Sequence, residues 1–417
     1  AAAAHMIETG HTGPHFNPLW TPLGANVGGP ELTSAYLKQW RWLQTITRKW
    51  DGGFAYQSPG GGRGSYRHLS ASAPHLLYLS LPQRKLITTG RESDRSTWVS
   101  KKEAQELASI ALTDFDALNT PELLAKLGHE LPPIRISAAK ALGKRTTDSD
   151  HFIPTLTKML KGTYQEKLGA CHLLANIKEK AAPAVDSIMN IARDPKADSW
   201  LRQNACKALT AIGKPAIPHL KELANILLTL PVVDQRRELA QVLGSSIAKL
   251  SKLSERQGMD KALRFRVAKK LLQHPHNNGR SYGMYLINDI SLEDLHIVAE
   301  LMIKVIKNDS KDYTSYTHDK PRAQGLEILE RLNIQEGLEL TVATMDTHLW
   351  GQKYRLPSRY KLLEKYGANA KKHIPELEEK LGKQAQAQAT IEKIKASTEL
   401  RKLIPLKDVM AMGGKDR

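Results

Sequence analysis

Asp194-Pro195-Lys196-Ala197-Asp198-Ser199-Trp200-Leu201-Arg202-Gln203-Asn204-Ala205-Cys206-Lys207-Ala208-Leu209-Thr210-Ala211-Ile212-Gly213 decides how the middle of this chain is read. A turn-forming Asp-Pro pair precedes a run of small residues suited to a close helix contact. The block recurs. Ala138-Ala139-Lys140-Ala141-Leu142-Gly143, Ala170-Cys171-His172-Leu173-Leu174 and Ala205-Cys206-Lys207-Ala208-Leu209 align, their leading alanines 32 and then 35 residues apart. Repetition at such a period marks stacked supersecondary units. A proline follows each block: Pro154, Pro183 and Pro218. Proline suits the first turn of a helix, where its missing N–H costs nothing. Ile153, Leu156, Met159 and Leu160, then Val185, Ile188 and Ala192, then Ile217, Leu220, Ala224 and Leu227 follow at helical spacing. Each unit is expected to be two antiparallel helices, which bury their apolar faces only by stacking on neighbours.

Outward from this block the texture changes. Residues 7–100 are rich in Gly, Pro and aromatics, and hold Trp20, Trp40, Trp42, Trp50 and Trp98 of the 7 tryptophans. Leu32, Tyr36, Leu37, Trp40, Leu43 and Ile46 predict a helix over 31–50, and a second is expected from about Ser70 to Leu79. Beyond residue 250 the pairing continues with poorer matches. Leu292, Leu295, Val298, Leu301 and Val305 give one helical face. Leu326, Leu329 and Leu332 with Leu338, Val342 and Met345 give a pair, and Ile374-Pro375 repeats the Ile-Pro helix start. Residues 376–403 read as one polar helix. The expected division is 1–6 an expression-vector scar (Ala1–Ala4, His5-Met6), 7–116 an aromatic helical segment, 117–250 regular repeats, 251–380 irregular helical pairs, and 381–417 a polar helix and tail. Ile7 to Pro14 reads as a loop, which suggests a part lost upstream.

The 417 residues are 41% hydrophobic and 25% charged, values typical of folded chains. Two cysteines exclude a disulfide framework and a Cys-rich zinc module. No stretch approaches the ~20 apolar residues of a membrane helix. Lys+Arg 61 against Asp+Glu 43 gives +18, which favours an acidic partner without identifying it.

The blocks resemble HEAT repeats, in which an Asp-Pro turn precedes the second helix and an Arg starts it. Asp194, Arg135 and Arg202 fit, whereas Glu166-Lys167 departs. The resemblance covers about 120 residues and implies an all-α fold, a HEAT-type α-solenoid. Nearer the start, Gly10-His11-Thr12-Gly13-Pro14, Leu23-Gly24-Ala25-Asn26, Gly29-Pro30-Glu31 and Trp50-Asp51-Gly52-Gly53-Phe54 resemble a bacterial family catalogued only as a domain of unknown function. That likeness implies an α/α-toroid-like, squalene-cyclase-like segment ahead of the repeats, and export from the cell. It brings no activity, and the several-Asp catalytic run of the cyclases is absent.

Candidate chemistry is sparse. His11 and His15 have metal-ligand spacing for a helix, but Gly10, Gly13 and Pro14 argue for a loop, so no metal site and no cofactor are expected. His11, Asp51 and His68, near Trp50, Tyr56 and His75, could perform acid–base work; hydrogen bonding within loops competes with that reading. Ser58 to Ser65 is glycine-rich but lacks the Gly-Lys-Ser/Thr ending of a phosphate loop. Cys171 and Cys206 share one repeat position and read as small buried hydrophobes. Two stretches are strongly basic. Residues 256–280 oppose seven cations to Asp260, and 353–372 oppose seven to Glu364. Arg256, Arg264, Arg266, Lys269, Lys270, Arg355, Arg359, Lys361 and Tyr360 are the binding candidates if these stretches line a concave face. The expected function is a non-catalytic scaffold for a protein or an anionic polymer. A nucleic-acid-binding HEAT protein, with Tyr164 and Trp200 near repeat turns, and an enzyme with its site in the toroid-like segment remain as alternatives.

Overall fold

A computed structural model describes residues 13–54, 72–83, 94–110, 113–145, 149–231, 238–255, 258–307, 319–345 and 352–412. Among them the fold is all-α, without a strand; two isolated bridges join Arg48 with Phe54 and Ile334 with Ile404. No described helix is long and apolar enough to cross a membrane. The chain divides into two compact units, Ala1–Lys144 and Arg145–Arg417.

In the first unit, helix Gly13–Val27 packs on helices Pro30–Thr47 and Ser72–Ser80, and Pro30–Thr47 packs on Lys101–Ser109. The first of these takes in the last two residues of the loop expected over Ile7 to Pro14: Gly13 and Pro14 lie in the opening turn, where proline is tolerated. His15 is therefore helical, and His11 lies outside the described residues. The core is aromatic. Tyr36 lies 6.5 Å from Trp40 and 5.8 Å from Tyr78, rings tilted 48° and 55°, over Ala25, Leu32 and Ala104. Tilted rings at these separations gain quadrupole attraction beyond their buried area. Gly29 (φ +104°) turns the chain into Pro30–Thr47, and a Cβ there would stand 2.8 Å from the Trp98 ring, so only glycine fits. Ser100 with Glu103 and Asn119 with Glu122 form reciprocal capping boxes on helices Lys101–Ser109 and Thr120–Lys126. Thr120–Lys126 packs on Pro132–Gly143, the helix of the first alanine block.

The second unit is built from helix pairs. Ser149–Met159 pairs with Tyr164–Ile177, Val185–Arg193 with Ser199–Ile212, Leu220–Thr229 with Glu238–Leu253, and Lys261–Leu272 with Asn277–Leu286. Ala299–Lys307 then pairs with Asp319–Arg331, Gln335–Ala343 with Gln352–Tyr366, and Ile374–Leu381 with Ala385–Ala396. Each second helix also packs on the next second helix, from Tyr164–Ile177 through to Ala385–Ala396. Small residues permit this: Ala170, Ala205, Cys206 and Ala208 are fully buried.

One side chain recurs on three of these second helices. Arg202, fourth in its helix, donates from Nε to the Ala192 carbonyl at 3.0 Å, near the end of the preceding helix. Arg280 and Arg322, also fourth, donate to His274 and Pro275 (3.3 Å each) and to Ile306 (2.9 Å). In the first unit Arg135, fourth in Pro132–Gly143, donates to Glu130 at 2.8 Å. A guanidinium at the negative end of a helix satisfies carbonyls that have no intrahelical donor.

The prolines behave differently from expectation. Pro183 and Pro218 sit in 3₁₀ segments, Lys178–Ala184 and Lys214–His219, and the α-helices begin afterwards at Val185 and Leu220. Pro154 lies within Ser149–Met159, which starts earlier than its proline. The expected polar helix over 376–403 is instead two amphipathic helices, burying Leu377, Leu381, Ala387, Ile391 and Ile394. An extended segment follows: Ile404 donates to Asn333 at 2.8 Å and accepts from Gln335 at 2.9 Å, and helix Leu406–Met412 ends the described chain.

Candidate functional site

Most cations of the first basic stretch are engaged within the fold. Five of them stand on Lys261–Leu272, the first helix of its pair, which Asp260 caps by accepting from the Leu263 amide at 2.8 Å, and Lys261 pairs with Asp294 at 2.6 Å. Arg264 pairs with Asp289 at 3.1 Å and lies 5.7 Å over the Phe265 ring; burial pulls its pKa down, and the charge of Asp294 opposes that. Lys270 donates to the Leu228 and Leu230 carbonyls at the end of helix Leu220–Thr229. Lys269 is half-buried, and Arg266 is exposed. Arg256 lies outside the described residues.

The second stretch divides by helical face. On Gln352–Tyr366, Arg359 is 0% exposed and Tyr360 3%, both inside the core. Tyr360 donates its hydroxyl to Gln384 at 3.2 Å, and burial raises its pKa. Neither meets a ligand at the surface, because their positions fall on the side of the helix that packs. Lys361 is exposed. Arg355 is fourth in its helix, but its side chain lies outside the described residues.

The same helix helps to form a polar cleft of about 470 Å³, lined by Asn288, Gln324, Glu327, Ile328, Glu330, Arg331, Lys365 and Arg401. Its lining comes from two successive second helices, Asp319–Arg331 and Gln352–Tyr366, from Asn288 in the turn after Asn277–Leu286, and from the extended segment after Ala396. Glu330 is the buried anchor. Arg401 reaches it at 2.6 Å and Lys365 at 3.3 Å. Arg401 also donates to the Lys365 carbonyl at 3.1 Å, and Arg331 donates to the Ile290 carbonyl at 2.7 Å. Below the cleft burial pushes the Tyr366 hydroxyl's pKa up, reinforced by the charge of Glu330 and opposed by Arg401. The cleft thus gathers Lys365 and Arg401 around the buried Glu330 carboxylate, with Arg331 beside them. Lys365 belongs to the basic stretch read in the sequence. Glu330 and Arg401 were missed, since no local pattern links residues 71 apart.

Further along the row of second helices, Tyr164 (41% exposed) donates to Asp198 at 3.2 Å, and Trp200 is 50% exposed with the Lys207 ammonium 4.7 Å from its ring centre. His172 and Asn204 are bonded at 3.2 Å between neighbouring helices, and Thr210 donates to Ser246 at 2.6 Å between the next two.

Among its described residues the aromatic segment shows no such gathering. Asp51 is exposed and accepts from the Gly53 amide at 2.8 Å, so it closes its own turn. His75 is buried and stacked on Phe54 at 4.4 Å, and burial lowers its pKa. Trp50 is 99% exposed. His11, Tyr56, His68 and the glycine-rich run 58–65 lie outside the described residues. Cys171 and Cys206 are buried free thiols whose pKa burial pushes up to about 12.

Residues 1–90 match the model of a domain of unknown function, DUF6288. No curated protein matches the chain.

Proposed function

We propose that this protein is a non-catalytic helical-repeat scaffold that binds an acidic protein segment or an anionic polymer along its second helices. In this reading the pairs form a HEAT-type α-solenoid, preceded by an α/α-toroid-like segment. The observation that carries it is the exposed stripe on successive second helices. From Ser199 to Tyr366 that stripe holds Lys207, Lys249, Lys252, Lys320, Arg331, Lys361 and Lys365, with Glu327 as the exposed carboxylate among the described positions, and it is interrupted at Asn277–Leu286, which exposes no side chain. The helices pack one on the next, which favours their stripes running side by side. The recurrent arginine at Arg135, Arg202, Arg280 and Arg322 supports the repeat reading, and the turn at Gly52-Gly53, with Phe54 on His75, supports the toroid-like one. Clustered cations along a repeat face concentrate anionic partners by summed potential more than by any single pair.

A second reading, nucleic-acid binding, is favoured by Trp200 beneath Lys207, because an exposed indole beside a cation can stack an unpaired base. Anisotropy titrations of labelled polyglutamate, heparin and a single-stranded oligonucleotide, at low and high salt, separate the readings. The scaffold reading expects polyglutamate and heparin to bind with strong salt dependence. A preference for the oligonucleotide that persists in high salt moves the assignment to nucleic acid. No binding of any of the three at low salt overturns the charge-based reading.

A further inference from the structure

The aromatic unit contains a groove of its own. It has a volume of about 480 Å³ and runs between helices Pro30–Thr47 and Ser72–Ser80. Sequence periodicity explains one wall: Pro30, Ser34, Leu37, Lys38, Arg41 and Gln44 recur at helical spacing along one face. Tyr78, Leu79 and Pro82 form the opposite wall. The Tyr78 hydroxyl donates to the Leu37 carbonyl at 2.8 Å, which ties the two walls together and leaves the ring's apolar face in the lining.

Two features identify an occupant. Lys38 and Arg41 are three residues apart, so their heads meet on one side of the helix, where a single anionic group can reach both. No acidic residue lines the groove, and neither cation has an ion-pair partner among the described residues. Gln44, farther along the same wall, has an amide nitrogen that is buried without an acceptor. A rotation of that amide presents the donor to a ligand oxygen. Beyond the small hydroxyls of Thr33 and Ser34 the rest of the lining is Pro30, Leu37, Tyr78, Leu79 and Pro82, and Leu79 is 51% exposed. An open groove of this volume, with a few convergent polar groups beside apolar walls, is in the size range of small-molecule sites.

We propose that this groove binds a single-chain amphiphile bearing a carboxylate, its head group held by Lys38 and Arg41 and its apolar body lying between Leu37 and the Tyr78–Pro82 wall. This site is independent of the scaffold surface in the second unit.

The test is calorimetric titration of the full chain with dodecanoate, dodecanol and an acidic amphipathic peptide, the lipids below their micellar concentrations. Dodecanoate is expected to bind at least about tenfold tighter than dodecanol, the loss expected when a charged hydrogen bond is removed. The double variant K38A/R41A should bind the two equally, and Ser34→Trp, which fills the groove from an exposed position, should abolish both. Circular dichroism confirms that both variants are folded, and the exposed positions make that the expected result. Equal affinity of the unaltered chain for dodecanoate and dodecanol, unchanged binding in Ser34→Trp, or binding of the peptide alone each overturns the proposal.

Discussion

The aromatic first unit and the alanine-rich second unit solve the same packing problem with opposite materials. In the second, small residues bring helices close, and carbonyls left open at helix ends receive Arg202, Arg280 and Arg322. In the first, large rings fill a small core, and several buried polar atoms around it find no partner: Asn26 Oδ1, Gln39 Oε1 and Nε2, Trp40 Nε1 and His75 Nδ1. Large apolar side chains also remain at its surface, among them Trp20, Trp42, Ile46, Leu76 and Leu79. The second unit also leaves buried polar atoms open, among them Ser199 Oγ, Asn333 Oδ1 and His373 Nε2, but they are spread along a longer chain and do not surround one core. A unit with buried donors and exposed apolar area has more to gain from an occupant.

The contrast can be broken by substitution, and the largest effect belongs to the alanine-rich unit. Leu209→Ala removes a fully buried side chain of helix Ser199–Ile212 and should lower stability by about 2–5 kcal/mol in urea denaturation. Arg202→Ala deletes the guanidinium that reaches the Ala192 carbonyl and should cost about 1–3 kcal/mol. If Arg202→Ala leaves the urea midpoint unchanged, the recurrent arginine is not a structural element of the repeat. In the aromatic core, Trp40→Phe removes an N–H with no partner, so a change of under about 1 kcal/mol is expected despite the burial.

Acid sharpens the same contrast. Burial lowers the folded pKa of His75 below its ordinary value near 6.5. The unfolded chain therefore takes up the proton first as pH falls. The stabilisation tied to the neutral ring is fully present above pH 6.5 and is lost below it, down through the folded pKa. Melting curves from pH 7.5 to 5 should show this loss, and His75→Phe should reduce it. In the second unit, Cys171 and Cys206 report local opening. With both thiols buried and their pKa near 12, a thiol reagent should label them only as fast as the helices separate.

The repeat was legible because its determinants are local. Ala138, Ala170 and Ala205 fall at near-regular intervals, and Arg135 and Arg202 sit at matching places before them. Arg280 and Arg322 obey the same rule, but the alanine blocks that flag it are missing around them, so the later pairs read as irregular. The basic stretches misled in a specific way. Local charge density cannot tell which cations fold back onto carbonyls, as Lys270 does, or turn inward, as Arg359 does. Helix Gly13–Val27 was hidden because its opening glycine and proline resemble a loop. The Glu330 cleft was invisible for a topological reason: Arg401 arrives from an extended segment that returns across earlier helices.

The central claim is that the second helices, and not the first, present the cationic binding face. Two charge-matched triple variants test it: K207E/K249E/K361E on exposed positions of second helices, and K221E/R266E/K304E on exposed positions of first helices. Heparin affinity measured side by side at low salt should fall by at least about tenfold in the former and remain near that of the unaltered chain in the latter. Equal losses in the two variants, or a greater loss in the second, would contradict the account.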